Sequence, residues 1–156
     1  MILKAIISRQ YQDKVNRAGT RVRNMTVPPE GWLCTARKAL GMSAAQLARR
    51  LGVTRAQVSN TEKGELTGSV TLKTLQTMAE SMGYRFIYVI VPREKVENIL
   101  ADRAKKKATR LVEETHKHMA LEDQALSDKQ IALEIERLQQ DLLRNMPSDF
   151  WDDKVK

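Results

Sequence analysis

The segment MSAAQLARRLGVTRAQVSNTEKG, residues 42–64, holds the side chains with the clearest chemistry in this chain. Ser43 and Thr54 each precede a short run with helical apolar spacing. They predict two helix starts, for Ala44 to Leu51 and for Arg55 to about Lys63. The tight turn "GVT" joins the two helices. Leu47, Ala48, Val53 and Val58 are compact enough to interlock helices that cross closely, which leaves the outer face of the second helix free. That face carries Arg55, Ala56, Gln57 and Asn60, suited to base edges in a major groove. An arginine forks a guanine, a glutamine or asparagine pairs with an adenine, and an alanine methyl meets a thymine methyl. The opening turn, with the Thr54 hydroxyl and unpaired backbone N–H groups, suits a phosphate. Ser43, Ser59, Lys63, Arg49 and Lys73 extend the expected phosphate contacts, as does Arg50. The plain alternative is an exposed helix of an ordinary bundle with solvated charges. The joint presence of two caps, a turn glycine, compact inner residues and a basic flank favours the helix-turn-helix reading.

Charge is distributed in keeping with this. Residues 1–73 carry 13 Lys or Arg against 4 Asp or Glu, and residues 74–156 carry 14 against 15. A one-sided basic excess points to a polyanion, either nucleic acid or an anionic surface. The single cysteine, Cys34, excludes an internal disulfide and fits a reducing compartment. The N-terminal apolar run is too short for a signal peptide and no run is long enough to span a bilayer, so the expectation is a cytoplasmic protein without membrane partners.

The elements around the motif follow from periodicity. Leu3, Ile7, Tyr11 and Val15 recur at i, i+4, and Gly19 predicts the stop of an N-terminal helix, 1–19. A basic linker, 20–27, carries Arg21 and Arg23, a candidate minor-groove arm or simply a solvated stretch. The DNA-binding domain is expected over 28–83. Its first helix enters at Pro28 and Pro29 with Trp32, Ala36 and Leu40 inward, Gly64 ends the second motif helix, and a further helix spans Leu72 to Met82. A helical region, 93–146, follows, with Val96, Leu100, Ala104, Leu111 and Met119 as one stripe and a Ser127/Gln130 capping box before a last helix. The tail, 147–156, has no period.

GYRFIYVIVP, residues 83–92, is the exception to this helical pattern. It reads as one β-strand, 84–92, with Tyr84, Phe86, Tyr88 and Ile90 on one face and Ile87, Val89 and Val91 on the other. The chain shows no second strand to complete it, a short pairing with the N-terminal region being the internal alternative, and antiparallel pairing with its own copy predicts a homodimer seam buried on both faces. The fold class is therefore mainly α: a helix-turn-helix domain, one dimerising strand and C-terminal helices.

ARKALGMSAAQLARRLGVTRAQVSNTEKG resembles the Xre, or lambda-repressor-like, DNA-binding domain. Arg55, Ala56 and Asn60 fall on positions that usually read bases in that family, and Glu62 and Gly64 match its Glu-x-Gly ending. Ala44 stands where the family often has a DNA-contacting glutamine. PPEGWL, VTLKTL, YVIVP and HKHMALEDQ extend a resemblance over nearly the whole chain to the mobile mystery protein A family of bacterial mobile elements. That resemblance implies a neighbouring gene whose product carries a Fic domain. The expected function is an autorepressor of its own operon acting on an inverted-repeat operator in double-stranded DNA, nucleoid-associated when bound. The alternative is an antitoxin that binds a Fic-type toxin directly. TVPPEG, residues 26–31, matches in letters the inhibitory motif of Fic inhibitors, but Pro28 and Pro29 interrupt the helix that motif needs, so the match reads as chance.

No catalytic constellation, metal site or cofactor is expected. Glu114, His118 and Glu122 share a helical face, a common surface pattern that no other cluster supplements. The basic run RAKKK, Arg103 to Lys107, reads as a solvated face.

Overall fold

The computed structural model describes residues 2–121 and 126–153. Seven helices appear among the described residues: α1 Ile2–Val22, α2 Trp32–Ala39, α3 Ala44–Leu51, α4 Arg55–Thr67, α5 Leu72–Ser81, α6 Val96–Leu121 and α7 Asp128–Asn145. They belong to two compact units, Val22–Val89, and Met1–Arg21 with Ile90–Lys156.

In the unit Val22–Val89, α2 to α5 enclose Leu33, Leu47, Ala48, Val58, Met78 and Met82. Helices α3 and α4 begin alike. The Ser43 and Thr54 hydroxyls accept from the N–H of Gln46 and Gln57, while each glutamine side chain accepts from the N–H of its cap residue. These reciprocal boxes satisfy backbone donors that a helix start leaves without partners. Between the helices, Gly52 takes φ 69°, a left-handed value that a side chain disfavours.

Several expectations need correction here. Helix α4 does not end at Gly64 but runs to Thr67, and Gly64 is buried inside it. A Cβ on Gly64 would lie 2.5 Å from the Val70 side chain, so the glycine permits a close approach of the following turn rather than a stop. Helix α2 starts four residues after Pro28, because Pro28–Gly31 forms a turn closed by the Gly31 N–H on the Pro28 carbonyl at 2.9 Å. The inward residue is then Leu33, while Trp32 and Leu40 are about half exposed. Val53 is exposed as well, since Leu47, Ala48 and Val58 already fill the space between α3 and α4.

In the other unit, α6 packs against α7 around Ala104, Ala108, Leu142 and Phe150. The two alanines let the helices approach closely, and Phe150 fills the remaining space at 1% exposure. The tail thus contributes the largest fully buried side chain of this core despite its lack of period. Arg103 holds the tail in place by donating to the carbonyls of Phe150 and Asp152, each at 2.8 Å, and to the Asp153 carboxylate at 2.7 Å. Lys107 pairs with Asp149. Two members of the RAKKK run therefore act as structural clamps; Lys105 and Lys106 keep the solvated position expected of the whole run.

Helix α1 continues through Gly19 to Val22, so Arg21 belongs to a helix and Arg23 to the turn after it. A glycine in a helix interior costs only about 1 kcal/mol, and this one lies against Val91 and Pro92. Asn16 caps α6 from a distance: its side-chain oxygen accepts from the Val96 N–H and its nitrogen donates to Glu97, both at 2.9 Å.

No strand occurs among the described residues. Residues 84–92 are irregular, and Ile87, Tyr88, Val89 and Ile90 are 66%, 65%, 52% and 84% exposed, so the single chain by itself does not bury the segment. A strand needs a hydrogen-bonded neighbour, and the single chain offers none here.

Candidate nucleic-acid interface

The Val58 side chain is fully buried, which fixes the rotation of α4 about its axis. With that residue inward, Ala56 and Asn60 lie opposite it; Arg55 at the helix start and Gln57 at its flank are exposed as well, and Lys63 follows further along the helix. Arg55, Asn60 and Lys63 make no side-chain hydrogen bond or ion pair among the described residues. Gln57 differs: its amide oxygen already accepts from the Thr54 N–H at 3.0 Å, which fixes the side chain against the helix start and leaves its amide NH₂ and one oxygen lone pair to meet a ligand. The Thr54 and Ser43 hydroxyls accept from the helix N–H groups and keep their own hydrogens to donate. Ser59 is half-buried, while Arg49 and Lys73 are exposed. Arg50 is engaged elsewhere, donating to the Ser81 carbonyl at the end of α5 at 3.1 and 3.2 Å. Arg21 and Arg23 are exposed too, but Arg21 is held on α1 and not on a flexible arm.

What holds this face rigid lies beneath it. Arg37 on α2 reaches Glu62 on α4 through Nη2–Oε1 at 2.7 Å and Nε–Oε1 at 2.9 Å, and its Nη1 donates to the Met42 carbonyl at 2.8 Å. Both side chains are nearly buried, at 12% and 10% exposure. Hydrogen bonding to Glu62 raises the Arg37 guanidinium above its already high ordinary value, with burial opposing. The neighbouring Glu65 accepts from the Trp32 N–H at 2.6 Å and the Leu33 N–H at 2.8 Å, and so caps α2 where Gly31 has no side chain to do it. An acid is favoured at a helix N-terminus on charge grounds as well. These two glutamates tie the outward-facing helix to α2. Only the Glu62-x-Gly64 pattern hinted at this, and nothing local marked Glu65 as a cap.

Tyr84 donates to the Ala36 carbonyl at 3.1 Å, and the Phe86 and Tyr88 rings stack with centroids 6.2 Å apart. The two rings lie on one side of the segment, two residues apart. Glu30 of TVPPEG lies outside any helix and pairs with Lys38 at 2.7 Å, which lowers its carboxyl below the ordinary range. Glu114 and His118 lie on α6, Glu122 lies outside the described residues, and no metal-holding cluster of three occurs among the described residues. No described helix is long and apolar enough to cross a membrane.

Two short helices joined by a tight turn, the second with its polar face outward, define a helix-turn-helix module, the class that places a helix in the major groove of DNA. The helix-turn-helix family model matches residues 35–89, from within α2 to past α5. This is a DNA-binding module of the kind transcription regulators carry. No curated protein and no solved structure matches the chain.

Proposed function

We propose that the protein is a homodimeric, sequence-specific DNA-binding transcription regulator that acts in the bacterial cytoplasm as a repressor. The observation that carries this reading is the outward face of α4: Arg55, Ala56 and Asn60 stand exposed and uncommitted above a buried Val58, inside the segment that matches the helix-turn-helix model. In this reading α4 enters a major groove with Arg55 on guanine and Asn60 on adenine. Thr54, Ser43, Ser59, Arg49, Lys63 and Lys73 hold phosphates, and Arg21 and Arg23 add positive charge to the chain. Gln57, held by the capping box, contributes from its amide NH₂ or the free lone pair of its oxygen.

The dimer reading is supported by residues 84–92, whose apolar side chains are largely exposed and whose backbone carries no ladder. Antiparallel pairing with the same segment of a second copy would give both a partner. It also sets two half-sites of inverted symmetry about one helical turn, or a multiple, apart. Autorepression and a Fic-domain partner rest on the resemblance to the mobile-element family alone.

The test is a comparison of operator and random DNA, the operator being recovered from random sequences by binding. Arg55→Ala and Asn60→Ala each lose about 1–3 kcal/mol on the operator and little on random DNA. Equal losses on both DNAs would reject base reading by α4.

A further inference from the structure

Every residue of α1 from Ile2 to Tyr11 is exposed. The helix meets its own unit from Gln12 onward, where Asn16 bonds the start of α6 and Gly19 lies against Val91 and Pro92. At about 100° per residue, Ile2, Leu3, Ile6 and Ile7 fall in one arc of about 140°, with Lys4 and Ser8 on the opposite side. Those four apolar side chains are 81%, 69%, 50% and 43% exposed. A surface helix normally turns such an arc to a core, and helical stability in proteins comes mostly from that packing. Among the described residues nothing covers it.

The rest of the helix says what fits this arc. Lys14, Arg17 and Arg21 continue the same side further along, and all three are exposed. A helix that lies in a membrane surface needs an apolar face along its length. Here the apolar part ends at Ile7, within two turns. A second α1 laid antiparallel offers an arc of the same length and carries its own three cations off the opposite end. Parallel pairing would set those cations side by side. Area points to a second copy as well. A stable dimer buries about 800 Å² per partner. The segment 84–92, paired as a ladder, contributes an edge about 30 Å long and about 5 Å wide, well short of that. More apolar surface has to meet in the dimer, and α1 is fastened beside Val91 and Pro92, at the end of that segment.

We propose that the apolar arc of α1 packs antiparallel on the same arc of a second copy, as a further part of the dimer interface. The contact is isologous, with Ile6 facing its own copy near the two-fold axis. The inference rests on the dimer reading above and adds a surface which that reading does not use.

The test is sedimentation equilibrium on the full chain, on Ile6→Lys and Ile6→Glu, and on Val89→Lys in the segment 84–92. All these positions are exposed in the single chain, so each variant should keep the helical circular dichroism of the parent. The parent should be a dimer. Ile6→Lys and Ile6→Glu should each weaken dimerisation about 100-fold, because like charges then face each other across the axis. An equimolar mixture of the two should restore parent-like association, which general damage to the helix would not allow. Parent-like dimers of both Ile6 variants would overturn the proposal, and the reading of 84–92 would stand if Val89→Lys alone gave monomers. Weak variants whose mixture stays weak would also overturn it, since α1 would then meet some other surface. A monomeric parent would overturn both readings. Loss of the dimer in the Ile6 variants but not in Val89→Lys would support the α1 contact and remove the strand seam. Binding of the parent to phosphatidylglycerol vesicles that Ile6→Glu abolishes, with the oligomeric state unchanged, would assign the arc to an anionic lipid surface and overturn the proposal.

Discussion

The two units bury their basic side chains alike and differ in where they put the acids. Val22–Val89 places an arginine–glutamate pair almost wholly inside, Arg37 on Glu62, with side-chain exposures of 12% and 10%. The unit of α1, α6 and α7 sinks its basic side chains as deeply, Arg103 at 15% and Lys107 at 11%, but pairs them with acids of the tail that stay exposed, Asp153 at 79% and Asp149 at 65%. Replacing a buried pair by apolar residues is often neutral or stabilising, so the inner pair is weak evidence of stability for its own sake. Its value is geometric. A planar guanidinium bonded to Glu62 and to the Met42 carbonyl permits one relative placement of α2, α4 and the turn before α3. A helix that must present Arg55 and Asn60 in a fixed register gains from that constraint. The α6–α7 pair has no such demand on it, and its fit comes from Ala104, Ala108 and Phe150.

The largest effects test whether these frames are separate. Each unit carries one of the two tryptophans, Trp32 and Trp151, so urea unfolding can be followed for each with the other changed to phenylalanine. Glu62→Ala leaves the Arg37 guanidinium buried without its carboxylate and should lower the Trp32 transition by about 3–5 kcal/mol. The Trp151 transition should stay in place. Joint movement of both transitions would mean that the chain unfolds as one cooperative body and would end the comparison.

A comparable loss should fall on the other unit when Phe150 is truncated. Its side chain is 1% exposed and its ring meets Trp151 edge-on, with centroids 5.1 Å apart. Phe150→Ala should cost about 3–5 kcal/mol on the Trp151 transition, from lost burial and the cavity left behind. The Trp32 transition and DNA binding should be unchanged. A loss well below 1 kcal/mol would show that α6 and α7 close up without the tail.

The sequence was most legible where a residue acts on its near neighbours. Ser43, Thr54 and Ser127 each open a helix three residues before a glutamine, and all three form reciprocal capping boxes. On α4 the outward positions of Ala56 and Asn60 follow from Val58, since residues two before and two after an inward one lie opposite it, while Arg55 is exposed because it opens the helix. Bonds across the chain were not legible. Glu65 to Trp32 and Arg103 to Phe150 join residues far apart in sequence, and no periodicity marks a glutamate as another helix's cap or a phenylalanine in an aperiodic tail as a core residue. Glycine misled twice for the same reason. Gly19 and Gly64 read as stops, yet each lies inside a helix, with Gly64 kept small by Val70. The segment 84–92 shows the reverse limit, because β-branched and aromatic composition indicates a strand while the ladder depends on a partner that a single chain lacks.

The smallest effect sharpens the comparison at its exposed end. Asp153 has its carboxyl held below the ordinary value, first by the hydrogen bond from Arg103 and then by that arginine's charge. A carboxyl depressed in the folded state adds stability above its unfolded pKa, about 3.9, and loses it as pH falls through the lower folded value. The Trp151 transition should therefore decline on acidification below about pH 4, and Asp153→Asn should flatten part of that decline. At neutral pH the same change should cost little, because surface pairs are screened and hold long side chains against their entropy. The Trp32 transition should not respond to Asp153→Asn at any pH. An acid-side profile at Trp151 that is identical in the variant would show that Arg103 secures the tail through the Phe150 and Asp152 carbonyls alone, with the carboxylate as a bystander.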